Sequence, residues 1–321
     1  MLGGVEDYPR TLTEFEARFV TDEACRAYLS QLRWPDGFVC PRCGGREFWT
    51  MGRGLWLCRQ CRGQVSVTAG TIFQSGHLPL TLWFRAMWYV TSQKNGASAL
   101  GIQRILGLGS YETAWTCLQK LRRAMIRPGR ERLRGLVEVD ETYLGGLEEG
   151  RPGRPGKGKK ALIAVAAEEV GRGIGRVRLR RIGDASADSL GAFVQETVER
   201  GSQVRTDGWV GYDGLAAMGY RHKVSILARS KKRADQLLPH VHRVASLLKR
   251  WLLGTHQGAV SHDHLDYYLD EFTFRFNRRT SRSRGKLFYR LVQQAVHVAP
   301  QPYSAIVKKA NRRALLPMVG G

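Results

Sequence analysis

Apolar side chains in the first 130 residues recur every three or four positions; from Leu136 onward they alternate or run together. The first spacing belongs to helices with one buried face, the second to strands. Residues 8–33 carry Phe15, Phe19, Ala24, Tyr28, Leu29 and Leu32 at helical spacing, among Ser, Thr and Asp residues suited to capping. Helical text returns with LTLWFRAMWYVTSQ. In SALGIQRILGLGSYETAWTCLQKLRRAM a short helix, a break at Gly107–Gly109 and a longer helix follow one another, as in a helix-turn-helix. Ser110 suits the cap of the second helix, whose apolar stripe is Tyr111, Ala114, Trp115, Leu118, Leu121 and Met125. Two packed helices with no DNA role fit the same pattern.

Beyond Leu136, LVEVDETYLG, KALIAVAAEEV, RVRLRRI and QVRTDG read as strands bounded by glycine. SADSLGAFVQETVER reads as a helix between them, WVGYDGLAAMGY as a second helix, and RHKVSIL as a strand. Three strands followed by alternating helix and strand describe a mixed α/β sheet. LLPHVHRVASLLKRWLLGTH closes this region as a helix, with Pro239 in its first turn and Gly254 at its stop. Val241, Val244, Leu248, Trp251 and Leu252 form its apolar face, while His242 and Lys249, two turns apart, share the other.

Composition adds a partner. At 321 residues and 43% hydrophobic, the chain is long enough for one large domain and one or two small ones. Lys and Arg number 51 against 28 Asp and Glu, a formal charge of +23 that attracts a polyanion, nucleic acid foremost. An acidic membrane surface fits less well, because no long apolar span or amphipathic anchor accompanies the charge. The start MLGGVEDYPRTL lacks the layout of a signal peptide, so a cytoplasmic protein is expected. The segment RPGRPGKGKK, with Arg154, Lys157 and Lys159, reads as a basic loop for phosphate contact, and Arg278, Arg279 and Arg282 are expected to contribute similarly.

Two groups of residues carry chemistry. Cys40-x2-Cys43 and Cys58-x2-Cys61, fourteen residues apart, have the spacing of two knuckles that hold one structural zinc. The text between them, EFWTMGRGLWLC, reads as a hairpin, which makes the module a zinc ribbon; Arg42, Arg46, Arg53, Arg59 and Arg62 surround it with positive charge. Cys25 and Cys117 stand alone and read as buried packing residues. The second group is Asp140 and Asp207, each in an apolar strand setting. Two aspartates on neighbouring strands of a basic protein suit divalent-metal phosphodiester chemistry, whereas a lone Asp at a strand end is usually a turn residue.

On CPRCGG…LWLCRQC, VEVDETYLGG, TDGWVGYDGL, HRVASLLKRWLLGTH and HLDYYLDEFTFRFNRR, from about residue 15 to about residue 295, the chain resembles bacterial insertion-sequence transposases of the zinc-ribbon type, relatives of the Merlin elements. The resemblance implies an RNase H-like core of the DDE recombinase type, with Mg²⁺ or Mn²⁺ held by two aspartates and a third ligand, and a lysine seven residues after that ligand. Asp140 and Asp207 match the aspartates and Lys249 the lysine; His242 stands where many relatives carry glutamate or asparagine. Imidazole favours softer ions than Mg²⁺, so His242 is expected to bind Mn²⁺, to orient water or to accept a proton. Glu271 is an alternative third acid, but its place in an apolar helix reads as structural.

The resemblance further implies a dimer or higher assembly on DNA that binds terminal inverted repeats, cleaves the ends and joins the freed 3′-hydroxyls to target DNA. The expected layout is a lead-in over 1–33, the ribbon over 34–75, a helix-turn-helix-like DNA-binding connector over 76–130, the catalytic domain over 131–298 and a tail over 299–321. A non-catalytic zinc-ribbon regulator would explain the charge and the cysteines but not the two aspartates. An RNase H-like nuclease without strand transfer would explain the aspartates but not the ribbon.

Overall fold

The computed structural model describes residues 6–76, 78–127, 129–145, 160–225, 234–256, 260–261 and 263–307. The chain forms two compact units, Met1–Pro128 with Ser281–Gly321, and Gly129–Thr280.

The first unit begins with α1 (Leu12–Arg18) and α2 (Asp22–Arg33), each opened by a threonine whose hydroxyl accepts a backbone N–H, from Glu14 to Thr11 and from Ala24 to Thr21. The cap at Thr21 splits the expected single lead-in helix in two. Strands β1 (Phe48–Met51), β2 (Leu55–Cys58) and β3 (Gln64–Ser66) form a small antiparallel sheet in the order β1-β2-β3. Next come α3 (Leu80–Ser92), α4 (Ala99–Leu106) and α5 (Tyr111–Ala124). Gly107, in the left-handed region, ends α4, and Ser110 caps α5. From Ala114 onward α5 is almost wholly buried; its exposed residues are Tyr111, Glu112 and Thr113 in the first turn.

The second unit is an open five-stranded sheet. Its strands are β4 (Leu136–Leu144), β5 (Ala161–Val170), β6 (Gly173–Ile182), β7 (Gln203–Thr206) and β8 (Arg221–Val224), in the order β6-β5-β4-β7-β8. β4–β5 and β5–β6 are antiparallel, while β4–β7 and β7–β8 are parallel. This is the strand order of an RNase H-like core. Helix α6 (Ala187–Thr197) lies between β6 and β7 in sequence; α7 (Ala234–Leu237), α8 (Pro239–His256) and α9 (Leu265–Phe276) follow β8.

Alternation along β5 explains its continuous apolar text. Leu162, Ala164 and Ala166 pack with Val137 and Val139 of β4 against Leu190, Phe193 and Val194 of α6. Ile163, Val165 and Ala167 pack against Val241, Val244 and Leu248 of α8 and against α9. A strand buried on both faces has no polar side to show. Since Val137 and Val139 face α6, the residues between and after them, Glu138 and Asp140, share the α8 face. WVGYDGLAAMGY, expected as a helix, forms only a 3₁₀ turn over Val210–Leu215. A Cβ on Gly211 would lie 2.7 Å from the Ala185 carbonyl oxygen, so this segment is held tightly against the strand connection. The open edge of β6 is covered by Asn277, whose Oδ1 accepts the Val177 N–H (2.7 Å) and whose Nδ2 donates to the Val177 carbonyl (3.1 Å).

The chain then returns to the first unit with α10 (Arg284–Ala295) and α11 (Tyr303–Val307). The catalytic domain was expected to run to residue 298, but α10 packs with α3 and α2 instead. Aromatic burial accounts for the difference: Phe288 is fully buried among Phe15, Phe84 and Trp88, with ring centroids 5.3–5.7 Å away. One turn before it, Gly285 meets the backbone of Pro9; a Cβ there would fall on the Pro9 carbonyl oxygen. Gly285→Ala is therefore expected to lower the stability of the first unit by about 1–3 kcal/mol. Denaturant unfolding followed by tryptophan fluorescence measures this, and a midpoint equal to the parent's contradicts the contact.

Candidate functional site

The four ribbon cysteines converge. Cys40 and Cys61 sulfurs lie 3.7 Å apart, Cys43 and Cys58 sulfurs 3.6 Å, and all four fall within 4.8 Å of one another. Sulfurs about 2.3 Å from a tetrahedral zinc are about 3.8 Å apart, so the set fits that ion. Two matching turns build it. The Cys40 N–H donates to the Gly45 carbonyl and the Gly44 N–H to the Cys40 carbonyl; the Cys58 N–H donates to Gly63 and the Arg62 N–H to Cys58. Gly44 and Arg62 hold equivalent left-handed positions, with φ of 76° and 55°.

The thiols respond to this crowding. Against burial, the backbone N–H groups of Arg42 and Cys43 and the adjoining thiols bring Cys40 down to about 7. Cys43 gains from the Gly45 N–H, but burial and the other sulfurs push it up to about 12. Cys40 accepts from its neighbours and Cys43 donates to them, so the thiols share protons that a metal ion would replace. On the ribbon's outer face the half-exposed Trp49 carries the guanidinium groups of Arg59 and Arg62, 5.1 and 4.5 Å from the ring centroid. Cys25 and Cys117 are buried, and burial raises both thiols to about 12, as suits inert packing.

In the second unit, β4 and β7 pair in parallel with Glu138 opposite Arg205; Asp140 and Asp207 are each two residues further on. β7 ends at Thr206, so Asp207 stands where β4 loses its neighbour. Each aspartate engages one oxygen with backbone. Asp140 Oδ1 accepts the Glu141 N–H (2.8 Å), and Asp207 Oδ1 accepts the Trp209 N–H (3.0 Å). Among the described residues the other oxygen of each accepts no hydrogen bond. The Thr206 hydroxyl donates to the Asp207 carbonyl (2.9 Å), so its oxygen accepts from His222 Nε2 (2.8 Å), tying the Asp207 turn to β8.

His242, on the second turn of α8, points Nε2 at Asp140 Oδ2, 3.7 Å away. Lys249 is exposed, two turns or about 10 Å further along the helix. Burial pushes the Asp140 carboxyl up to about 7; Glu141, Asp207 and Glu138 add to the shift, and the Glu141 N–H opposes it. Two ligands of one octahedral Mg²⁺ or Mn²⁺ lie about 3–4 Å apart, so Asp140 and His242 suit a shared cation. Asp140, Asp207 and His242 do not all approach within 4.8 Å as the cysteines do. Asp207 is near enough for its charge to add to the rise of the Asp140 carboxyl.

The remaining expected residues lie elsewhere. Glu271 is fully buried on α9 and paired with Arg275 at 2.8 Å, a structural acid as its setting suggested. Arg278 stacks on Phe274 (4.0 Å). Arg279 stacks on Phe276 (4.1 Å) and donates to the carbonyls of Phe276, Gly175 and Ile174, so it helps to close the β6 edge. Arg282 is exposed; Arg154, Lys157 and Lys159 lie outside the described residues.

Sequence reading passed over Glu138, His240, Arg205 and Glu169. Glu138 is 0% exposed. Its Oε2 accepts the backbone N–H groups of His240 (2.7 Å) and Val241 (3.1 Å), in the first turn of α8. Its Oε1 accepts from His240 Nδ1 (3.0 Å) and Arg205 (3.3 Å). Arg205 also reaches Glu169 at 3.4 Å. Glu138, Glu169 and His240 offer ligand atoms within 4.8 Å of one another, but the Arg205 guanidinium already supplies the cation there. The available signal was a charged residue between two buried valines, on the face that also carries Asp140.

Residues 132–277 match the family described as the ISXO2-like transposase domain, and residues 20–64 match the transposase zinc-ribbon domain; together they span more than half of the chain. The chain belongs to the zinc-ribbon insertion-sequence transposases. It is also similar to the "Uncharacterized protein in transposable element ISH50" of Halobacterium salinarum (strain ATCC 700922 / JCM 11081 / NRC-1), 27% identical over 288 residues, or 84% of this chain and 94% of that protein. Among solved structures, the BIV integrase catalytic core is 17% identical, covering 47% of this chain and 88% of that one, with a TM-score of 0.32. The Mos1 strand transfer complex is 14% identical, covering 70% and 76%, with a TM-score of 0.27. Both likenesses are too slight to bear on the site. Among the described residues no helix of the transposase is long and apolar enough to cross a membrane.

The ribbon geometry generates one direct expectation. The purified transposase should carry one zinc per chain, and Cys58→Ser should lose most of it, because the buried Cys58 sulfur completes the tetrahedron. Elemental analysis reads the stoichiometry; a parent protein without zinc would sink the assignment.

Proposed function

We propose that the chain is a DNA transposase that binds the terminal inverted repeats of its element, cleaves each end to free a 3′-hydroxyl and joins that hydroxyl to target DNA. Asp140, Asp207 and His242 would hold Mg²⁺ or Mn²⁺. The observation that carries this reading is the part-buried Asp140, which faces His242 at 3.7 Å and whose carboxyl burial, Glu141 and Asp207 drive up to about 7. A carboxylate so destabilised is poised for a cation. Bound there, a divalent ion supplies charge neutralisation at the scissile phosphate and activation of the attacking water.

The chain's own residues do the rest. Backbone N–H donors fix one oxygen of each aspartate, so the second is oriented without search. His242, half exposed, is placed to ligate or to take up a proton. Lys249 offers charge to a backbone phosphate, and the exposed Arg243 and Arg250 extend that basic face along α8. The Trp49 ring with its two arginines suits DNA contact by the ribbon, as do Arg278, Arg282, Arg154, Lys157 and Lys159 elsewhere. Two ends must be processed together, which favours a dimer or higher assembly on DNA.

The test is incubation with the DNA that flanks the gene, with Mg²⁺ or Mn²⁺. Asp140→Ala and Asp207→Ala should each abolish cleavage and leave DNA binding at the parent's level. His242→Ala should be nearly inactive, and Mn²⁺ should support more activity than Mg²⁺ in the parent. Lys249→Ala should retain a fraction of it. Parental cleavage by His242→Ala would remove it from the set; parental cleavage by Asp140→Ala would end the reading. Binding itself should weaken steeply with salt, each phosphate contact adding about −0.9 to the log–log slope. A flat affinity between low and moderate salt contradicts a charge-driven grip.

A further inference from the structure

Three elements carry the proposed catalytic residues, and one buried carboxylate touches all three. On β4, Glu138 lies two residues before Asp140. On β7, Arg205 lies two residues before Asp207 and donates to Glu138 Oε1 at 3.3 Å. On α8, His240 lies two residues before His242 and donates to Glu138 through both its backbone N–H (2.7 Å) and its ring Nδ1 (3.0 Å). The Val241 N–H adds a fourth donor at 3.1 Å. A carboxylate carries no proton to give, so Nδ1 bears the hydrogen and the His240 tautomer is fixed.

The same offset recurs on every element, and its consequence is geometric. Glu138 and Asp140 share one face of β4, and the parallel pairing sets Arg205 across from Glu138. The Glu138 carboxylate therefore fixes the register of α8 against the strand pair one step behind the proposed metal ligands. Sliding α8 by one residue would break both backbone hydrogen bonds at its N-terminus and move His242 away from Asp140. No acid of α8 itself does this; its first turn contains none. Oxygen lone pairs are fully used, two donors to each, and Arg205, which also pairs with Glu169, sets a positive charge beside the carboxylate.

We infer that Glu138 is a positioning residue for the catalytic set: with His240 and Arg205 it aligns Asp140, Asp207 and His242, and it does so without touching DNA or metal. The inference rests on the active-site reading proposed above. A variant that keeps the fold but loses the alignment should bind DNA normally, bind Mn²⁺ weakly and cleave slowly. Outer partners of metal ligands typically govern roughly 10–100-fold in affinity or activity.

The experiment compares Glu138→Gln with Glu271→Gln. Both remove a fully buried carboxylate of the same unit, but Glu271 pairs with Arg275 on its own helix, α9, rather than with the first turn of α8 or with Arg205 as Glu138 does. Mn²⁺ affinity is read by electron paramagnetic resonance, DNA affinity by anisotropy, folding by thermal melting, and cleavage on the flanking DNA. Glu138→Gln is expected to weaken Mn²⁺ binding on the order of 10-fold and slow cleavage 10–100-fold at unchanged DNA affinity, while Glu271→Gln changes neither. If Glu138→Gln does not fold, His240→Ala answers instead, since it removes one side-chain donor and leaves the backbone bonds; the same direction of loss is expected, smaller in size. Parental Mn²⁺ affinity and cleavage in a folded Glu138→Gln or His240→Ala overturn the inference. Equal losses in Glu138→Gln and Glu271→Gln also overturn it, because they mark general destabilisation. Asp140→Ala, run alongside, separates the two claims: if it still cleaves, the active-site reading fails; if it is dead while Glu138→Gln is normal, only the positioning role fails.

Discussion

A buried carboxylate inside an apolar layer costs several kcal/mol unless donors surround it, and the catalytic unit is organised around one that is fully surrounded. Glu138 sits between two valines that belong to the opposite face of β4. Its four donors come from α8 and β7, which are far from it in sequence. The desolvation of Glu138 is therefore compensated only when β7 has paired with β4 and α8 has docked with the correct first turn. Apolar packing of Val241, Val244 and Leu248 brings the helix to the sheet but tolerates small shifts. The helix N-terminus does not, because two N–H groups must meet one oxygen. Burial supplies the attraction and Glu138 the register.

Asp140 shows the contrast. It lies on the same strand face, two residues on, and is also largely buried, yet among the described residues one of its oxygens accepts only the adjacent backbone N–H and the other faces an imidazole at 3.7 Å. Desolvation thus goes uncompensated there and the carboxyl rises to about 7, whereas Glu138 is satisfied by protein donors alone. Two acids on one strand have opposite fates because their neighbours differ. The ribbon repeats the pattern with sulfur: four thiols lie within 4.8 Å of one another, Cys40 lowered and Cys43 raised. In both places the protein gathers ligands at a cost that folding alone does not remove.

Much of this was legible from the residues. Cysteine spacing predicted the ribbon because two-residue gaps allow only a narrow set of turns. Alternation predicted β4 to β8, and the apolar run of β5 reflects burial on both faces. The departures have local causes. Thr21 caps a helix inside what periodicity reads as one, and close packing at Gly211 turns an expected helix into a 3₁₀ turn. Phe288 belongs to an aromatic cluster assembled from distant segments, which no local pattern reveals. Arg279 appeared to be a free basic residue, but its donors close the β6 edge on Gly175 and Ile174, over a hundred positions away. Glu138 escaped notice for the same reason: its partners are 67 and 102 residues away.

His242 remains the chemically distinctive position, and its surroundings bear on why a histidine can stand there. A third carboxylate at that point would add negative charge beside Asp140, which burial first, and then Glu141, Asp207 and Glu138, already raise. On the reading proposed above, a neutral imidazole would complete the donor set without deepening that repulsion. It would also lower the negative charge offered to a hard cation and so favour Mn²⁺ over Mg²⁺. Charge economy at Asp140 and ion choice would then be one constraint. It would act through a helix whose first turn is hydrogen-bonded to Glu138, so under that proposal the third ligand and the placement of α8 would not vary independently.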